Sequence, residues 1–208
     1  DEIAIFDVFF RKVPTNGGYA IMAGLDKVIE YISNLHFGEK EISYLKRGGY
    51  DENFIEYLKN FKFTGNIYAI PDGTPVFPNE PIITVEAPII EAQVVETAIL
   101  SLVNGAMEHA TGARRIVEAT PKNVPIMEFG SRRADGLEAA IDASLYGIMV
   151  RHGESVNGDK LIIVDPVNIL KQSEISNYTL IPLQKQIFKD GNLVYDDPTI
   201  LEKRDYCE

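Results

Sequence analysis

Asn66-Ile67-Tyr68-Ala69-Ile70-Pro71-Asp72-Gly73-Thr74-Pro75-Val76-Phe77, followed by Ile82-Ile83-Thr84-Val85-Glu86-Ala87, is the stretch that decides the fold class. Its apolar runs are short, rich in β-branched and aromatic residues, and punctuated by prolines and by Pro71-Asp72-Gly73. That pattern reads as a small antiparallel sheet with tight connections. Helical spacing surrounds it. Ile21, Leu25, Val28, Ile29 and Ile32 recur as one face of an amphipathic helix. Asp51 is placed to cap a second helix carrying Phe54, Ile55, Leu58 and Phe61. A third helical pattern runs from Glu91 to about Ala119, and Gly105 and Gly112 suggest that it breaks into two helices.

Further along, Pro125 to Phe129 reads as a strand, Gly130 to Gly136 as a loop and Leu137 to Tyr146 as a helix. A strand–loop–helix unit of this kind repeats in parallel α/β folds. No series follows it. Leu161 to Val164 reads as another strand, and Ile187-Phe188-Lys189 and Leu193-Val194-Tyr195 flank Asp190-Gly191 as a hairpin. At the other end, Glu2 to Phe10 carries apolar residues on both alternating faces and reads as a buried strand. A buried strand opening directly at Asp1 suggests that a native segment preceded it.

Composition bounds the function. The 208 residues are 45% hydrophobic and 25% charged, enough for a core in one or two domains. The formal net charge of −11 argues against general nucleic-acid binding, because an acidic surface repels phosphate backbones. No apolar run approaches the ~20 residues that span a bilayer, and no secretory leader opens the chain, so the expected compartment is the cytoplasm. The single cysteine, Cys207, forms no internal disulfide, and three scattered histidines give no metal-ligand spacing.

The most chemically suggestive segment is Glu128-Phe129-Gly130-Ser131-Arg132-Arg133-Ala134-Asp135-Gly136. Two adjacent arginines fall between a strand and a helix, where sites of parallel α/β proteins lie. Guanidinium forks match phosphate or carboxylate oxygens, and Phe129 offers an aromatic face to a flat ring. On spacing alone, a solvated arginine pair with Phe129 in the core is the slightly better reading.

Resemblance shifts that balance. Phe6-Asp7-Val8-Phe9-Phe10-Arg11-Lys12 with Gly17-Gly18-Tyr19, the string from Gly65 to Pro81, and Met127 to Ala134 resemble bacterial nicotinate phosphoribosyltransferases. The likeness is strong from Asp1 to about Val103 and from Val124 to Ala134, and it returns in the tail. It implies an α/β (α+β mixed) chain with an open-faced β-rich domain and a partial, irregular α/β-barrel-like domain. Residues 1–103 would hold the N-terminal helices and β-rich part, 104–147 the start of the barrel, and 148–208 C-terminal strands packing on the β-rich part. The implied activity joins nicotinate to phosphoribosyl pyrophosphate, with Mg2+ and ATP, in a homodimer of NAD biosynthesis. Phe129 would stack on the pyridine ring. Arg132 would bind phosphate or the nicotinate carboxylate, with Ser131 and Arg133 close by. The family's phosphorylated histidine has no counterpart, and the segment before Asp1 and much of the central barrel are expected to be missing. A deletion and a sequence that omits a disordered stretch both fit that expectation.

Two other readings remain. A non-catalytic scaffold or interaction fragment would expose the edges of an unclosed barrel. A histidine-type phosphatase would use Val150-Arg151-His152-Gly153-Glu154-Ser155. No strong strand leads into Arg151, and too little chain follows His152 for that fold. Asp165-Pro166 and Asp196-Asp197 read as an exit turn and solvated acids, and Tyr19 and Phe10 as core aromatics in preference to site aromatics.

Overall fold

The structure is a computed structural model that describes residues 2–13, 18–121, 124, 126, 130–137, 139–143 and 184–194. Its centre is a five-stranded antiparallel sheet. The strands are β1 (Ile3–Val8), β3 (Asn66–Ala69), β5 (Ile83–Pro88), β6 (Lys185–Lys189) and β7 (Asn192–Leu193), in the order β1-β5-β3-β6-β7. A two-stranded ribbon pairs β2 (Ala20–Ile21) with β4 (Pro75–Val76). The antiparallel sheet expected over residues 66–87 is present. Its middle run, however, pairs with β2 in the ribbon and not with its sequence neighbours.

Alternation decides the two faces of the sheet. Ile67, Ala69, Ile83, Val85 and Ala87 point into the main core. Asp7, Asn66, Tyr68, Thr84 and Glu86 line the other, open face, where the Thr84 hydroxyl donates to Asp7 Oδ1 at 2.7 Å. The N-terminal strand is not buried as its composition suggests. β1 is an edge strand, and Ile3 and Ile5 are 56% and 67% exposed while Phe6 and Val8 turn inward. Ile3 and Ile5 alternate with Phe6 and Val8 and point onto the open face beside Asp7 and Glu86, where no described helix covers them.

Four helices cover the inner face: α1 (Leu25–Asn34), α2 (Glu39–Arg47), α3 (Glu52–Lys59) and α4 (Ile89–Ala119). Ile21 shares the spacing of α1 but belongs to β2. Gly24, at φ 98°, separates them, and a Cβ there would sit 2.8 Å from that of Ala106. Only glycine combines that dihedral with so close an approach to α4. α1 is capped from a distance. Asp72, in the Pro71-Asp72-Gly73 turn, accepts from the Leu25 N–H at 3.2 Å. Asp51 caps α3 as expected, accepting from Asn53 N at 2.9 Å and Phe54 N at 3.2 Å. α2 is invisible to hydrophobic periodicity because Ile42 is its single fully buried residue.

α4 is one unbroken helix of 31 residues, not two. Val95, Ile99 and Val103 pack in the main core, and Ala106, Ala110 and Val117 in a second one. Gly105 and Gly112 lie where no atom comes within 4 Å of a Cβ position, off that buried stripe. Each costs about 1 kcal/mol relative to alanine, which the burial of the stripe outweighs. By length and composition α4 is also apolar enough to cross a membrane, against the expectation that no such run exists. Its stripe instead serves two protein cores, the behaviour of a core helix.

The hairpin forms as read. Asp190 (φ 47°) and Gly191 (φ 75°) make the two-residue turn between Lys189 and Asn192, both with the positive φ of a type I′ turn. β6 pairs with β3, so the described C-terminal strands belong to the sheet begun by residue 3. Residues 161–164, 152, 165, 196–197 and 207 lie outside the described residues, as does all of the expected strand at 125–129 except Ile126.

Candidate functional site

The second core sets the frame of the site. Ile21, Ala23, Ala106, Ala110 and Val117 are buried together, and Tyr19, Ala113 and Ile126 pack against them. Ile21 N–H donates to Thr111 Oγ1 at 2.9 Å, which ties β2 to α4. Small residues on α4 let the strand lie close. Ile126, four positions before the arginine turn, thus packs on the core that α4 shares with β2.

Beside this core is a polar cluster at the end of α4. The Tyr19 hydroxyl donates to Glu118 Oε1 at 2.7 Å, and Arg114 Nε donates to the same oxygen at 2.9 Å. Arg114 is only 6% exposed. Arg115 reaches back to the Tyr19 carbonyl at 3.4 Å. Tyr19 thus fixes the end of the Gly17-Gly18-Tyr19 segment and is neither a free site aromatic nor a plain core residue. Phe10 packs on the main core.

Burial raises the Tyr19 pKa above the ordinary tyrosine value, and the hydrogen bond to the Glu118 carboxylate raises it further. Burial likewise raises Tyr31, and burial with the Glu91 charge raises Tyr57. A group held protonated by the fold contributes stability below its unfolded pKa, near 10 for tyrosine, and loses it as pH rises through the folded value. Thermal midpoints measured between neutral pH and about pH 11 should therefore fall once pH passes ~10. Tyr19→Phe should make that fall shallower. An unchanged alkaline slope in Tyr19→Phe would disconnect Tyr19 from it.

Gly130 to Arg133 form one turn of 3-10 helix, a more ordered form of the loop expected there. Arg132 and Arg133 are exposed, and among the described residues neither is in an ion pair. Successive residues of a 3-10 turn diverge by about 120°, so the two guanidinium groups leave the backbone in different directions. The backbone of Ser131 lies within the turn, while its side chain and the whole of Phe129 lie outside the described residues. The structure thus presents both arginines to solvent, in different directions from one turn. The stacking role expected of Phe129 lies outside the described residues.

Behind the turn, residues 137 and 139–143 are helical. Ala140 is buried, Leu137 and Ile141 are exposed, and Asp142 forms an ion pair with Lys27 of α1. No local signal marks this pair in the sequence, since its partners are 115 positions apart. Glu91 also escaped the sequence reading. This buried carboxylate at the start of α4 accepts from the Thr64 N–H at 2.6 Å and from its hydroxyl. It lines a shallow cleft with Asn53, Tyr57 and Phe61. That cleft lies about 40 Å from Glu118, counted at ~1.5 Å per helical residue, and its carboxylate is already satisfied.

Residues 1–104 match the family model described as the nicotinate phosphoribosyltransferase N-terminal domain, and residues 140–208 match that of the C-terminal domain. The chain belongs to the nicotinate phosphoribosyltransferase family. It is 49% identical over 142 residues to the nicotinate phosphoribosyltransferase of Bacillus subtilis, an alignment covering 68% of this chain and 29% of that protein. It is 41% identical over 138 residues to nicotinate phosphoribosyltransferase pncB2 of Mycobacterium tuberculosis, covering 66% and 30%. Human nicotinic acid phosphoribosyltransferase has a related solved structure, with a TM-score of 0.65 and 27% identity over 75% of this chain and 32% of that one. The chain spans about 30% of the length of the curated relatives it matches. The arginine turn falls between the two family-matched stretches.

Proposed function

We propose that this family member forms nicotinate mononucleotide from nicotinate and phosphoribosyl pyrophosphate, with the arginine turn as its anion-binding element. The observation that carries the reading is an exposed Arg132–Arg133 pair on a short ordered turn, flanked by stretches that match the two ends of the family. Both substrates are anions, and a guanidinium offers each a planar set of donors. Arg132 binds the phosphate or the nicotinate carboxylate, Arg133 and Ser131 lie close by, and Phe129 stacks on the pyridine. Departure of pyrophosphate builds positive charge on the ribose and negative charge on the leaving oxygens, and fixed guanidinium groups stabilise the latter.

Mg2+ and ATP accompany the reaction in this proposal. Among the described residues, no group of three or more His, Cys, Asp or Glu side chains is gathered to hold a metal. These residues do not fit a resident metal site, and no step is routed through one. The proposal also includes a homodimer, a cytoplasmic location and no nucleic-acid or membrane partner. The net charge of −11 supports the exclusion of nucleic acid. Neither the scaffold reading nor the phosphatase reading is favoured by the family matches, and the phosphatase's His152 lies outside the described residues.

The test is to incubate the chain with phosphoribosyl pyrophosphate, magnesium and ATP, offering nicotinate or nicotinamide, and to follow products by mass. Nicotinate mononucleotide is expected, with nicotinamide turned over at least ~10-fold more slowly because it lacks the charge that pairs with arginine. A folded chain that makes neither product would sink the catalytic proposal and leave family membership alone.

A further inference from the structure

Among its described residues, the short helix behind the arginine turn has a weak apolar grip. Ala139, Ala140, Asp142 and Ala143 are buried or half-buried, while Leu137 and Ile141 are 76% and 37% exposed. At 100° per residue, the four inward positions fall on one arc and the two large apolar residues on the other. Its described residues therefore dock through alanine methyl groups, which bury little area. Asp142 supplies the directional contact. Its carboxylate meets the Lys27 ammonium from α1, and the two side chains are only 15% and 24% exposed. A pair so shielded is screened less by salt than a surface pair and depends on both partners being present. Lys27 itself is held by a rigid frame, because α1 buries Leu25, Val28 and Ile29 and is capped by Asp72. On the other side, Ile126 packs on the second core. Along the chain the Gly130–Arg133 turn thus falls between two anchored positions, Ile126 on an apolar core and Asp142 in an ion pair.

We propose that the Lys27–Asp142 ion pair is a positioning element for the arginine turn, holding its following helix to α1 so that Arg132 and Arg133 keep a fixed direction. Lys27 and Asp142 touch no substrate in this scheme. They act through the turn, and the inference rests on the anion-binding role given to that turn above.

The test compares Lys27→Met, Asp142→Asn and the reversed pair (Lys27→Asp with Asp142→Lys) with the unaltered chain. Hydrogen exchange followed by mass spectrometry reads the tie directly. Amides of residues 130–143 should exchange ~10-fold faster in each single variant and return toward the original rate in the reversed pair, with the β3 and β5 amides unmoved. Titration with magnesium pyrophosphate reads the consequence. Affinity should drop ~10-fold in the single variants and recover in the reversed pair, while the thermal midpoint does not follow that pattern. Asp142→Asn is nearly isosteric and keeps the experiment decisive if Lys27→Met fails to fold. Unchanged exchange across 130–143 in the single variants would overturn the inference. So would faster exchange with unchanged affinity, provided Arg132→Ala abolishes binding. If the unaltered chain binds no pyrophosphate, the proposed function falls and the positioning role with it, and the exchange data then show only whether the tie exists.

Discussion

Arg132→Ala is expected to weaken magnesium pyrophosphate or nicotinate binding by roughly 10–100-fold while shifting stability by no more than about 0.5 kcal/mol. The two effects separate because Arg132 is exposed and, among the described residues, sits in no ion pair. Removing it breaks little within the fold. A charge-assisted contact to an anion, by contrast, is worth roughly 1.5–3 kcal/mol, the source of the predicted range. Calorimetric titration with each ligand in turn tells which anion it holds. Arg132→Lys should fall between the two, since an ammonium keeps the charge and loses the paired donors. Arg133→Ala should differ from Arg132→Ala in size, because side chains diverging from a 3-10 turn do not reach one anion equally. Equal binding by Arg132→Ala and the unaltered chain would remove the turn from the site.

Gly191→Ala should be the most damaging small substitution in the sheet, costing roughly 3–5 kcal/mol. Two independent costs meet there. Gly191 holds φ at 75°, a conformation costing an L-residue roughly 1–2 kcal/mol. A Cβ at that position would also stand 1.9 Å from the Phe63 carbonyl oxygen and 2.8 Å from Thr64 Cα, both backbone atoms. Flexible side chains yield to such a contact, but backbone tied down just before β3, as Thr64 is by its bonds to Glu91, does not. Relief requires the β6–β7 hairpin to pull away, which breaks the Gly191 N–H bond to the Gly65 carbonyl (2.8 Å) and uncovers Phe188. Chemical denaturation would show the loss as a lower midpoint. Asp190→Gly at the neighbouring position, φ 47°, relieves strain instead of adding it and should cost far less. Similar midpoints for the two variants would show that the hairpin is not seated against Phe63.

How much of this was legible in the chain depends on the range of the interaction. Asp51 and the Asp190-Gly191 turn are local chemistry, and both appear where the sequence places them. Ile21 misleads because a residue four positions before a helix matches its spacing whether or not the helix has begun. Only the φ of Gly24 marks the boundary. Ile3 and Ile5 mislead because composition does not say which face of a sheet is left open. For the site, the paired arginines are adjacent and easily noticed. Tyr19–Glu118 and Lys27–Asp142 join residues about a hundred positions apart, and no periodicity records such a meeting.

β6 enters the sheet beside β3, although residues 70–184 lie between them along the chain. The seam between these strands is therefore closed across a long excursion. The entropy of closing such a loop grows only with the logarithm of its length, about 0.6 kcal/mol for each doubling. Such a seam is nearly indifferent to how much polypeptide is threaded between its edges. The same sheet can then bracket intervening segments of very different size, with little thermodynamic adjustment even in a chain more than twice as long, as the curated relatives are. The kinetic side is less forgiving. During synthesis β3 waits for β6 until residue 189 has left the ribosome, so Ile67 and the rest of that edge depend on transient cover until β6 and β7 arrive.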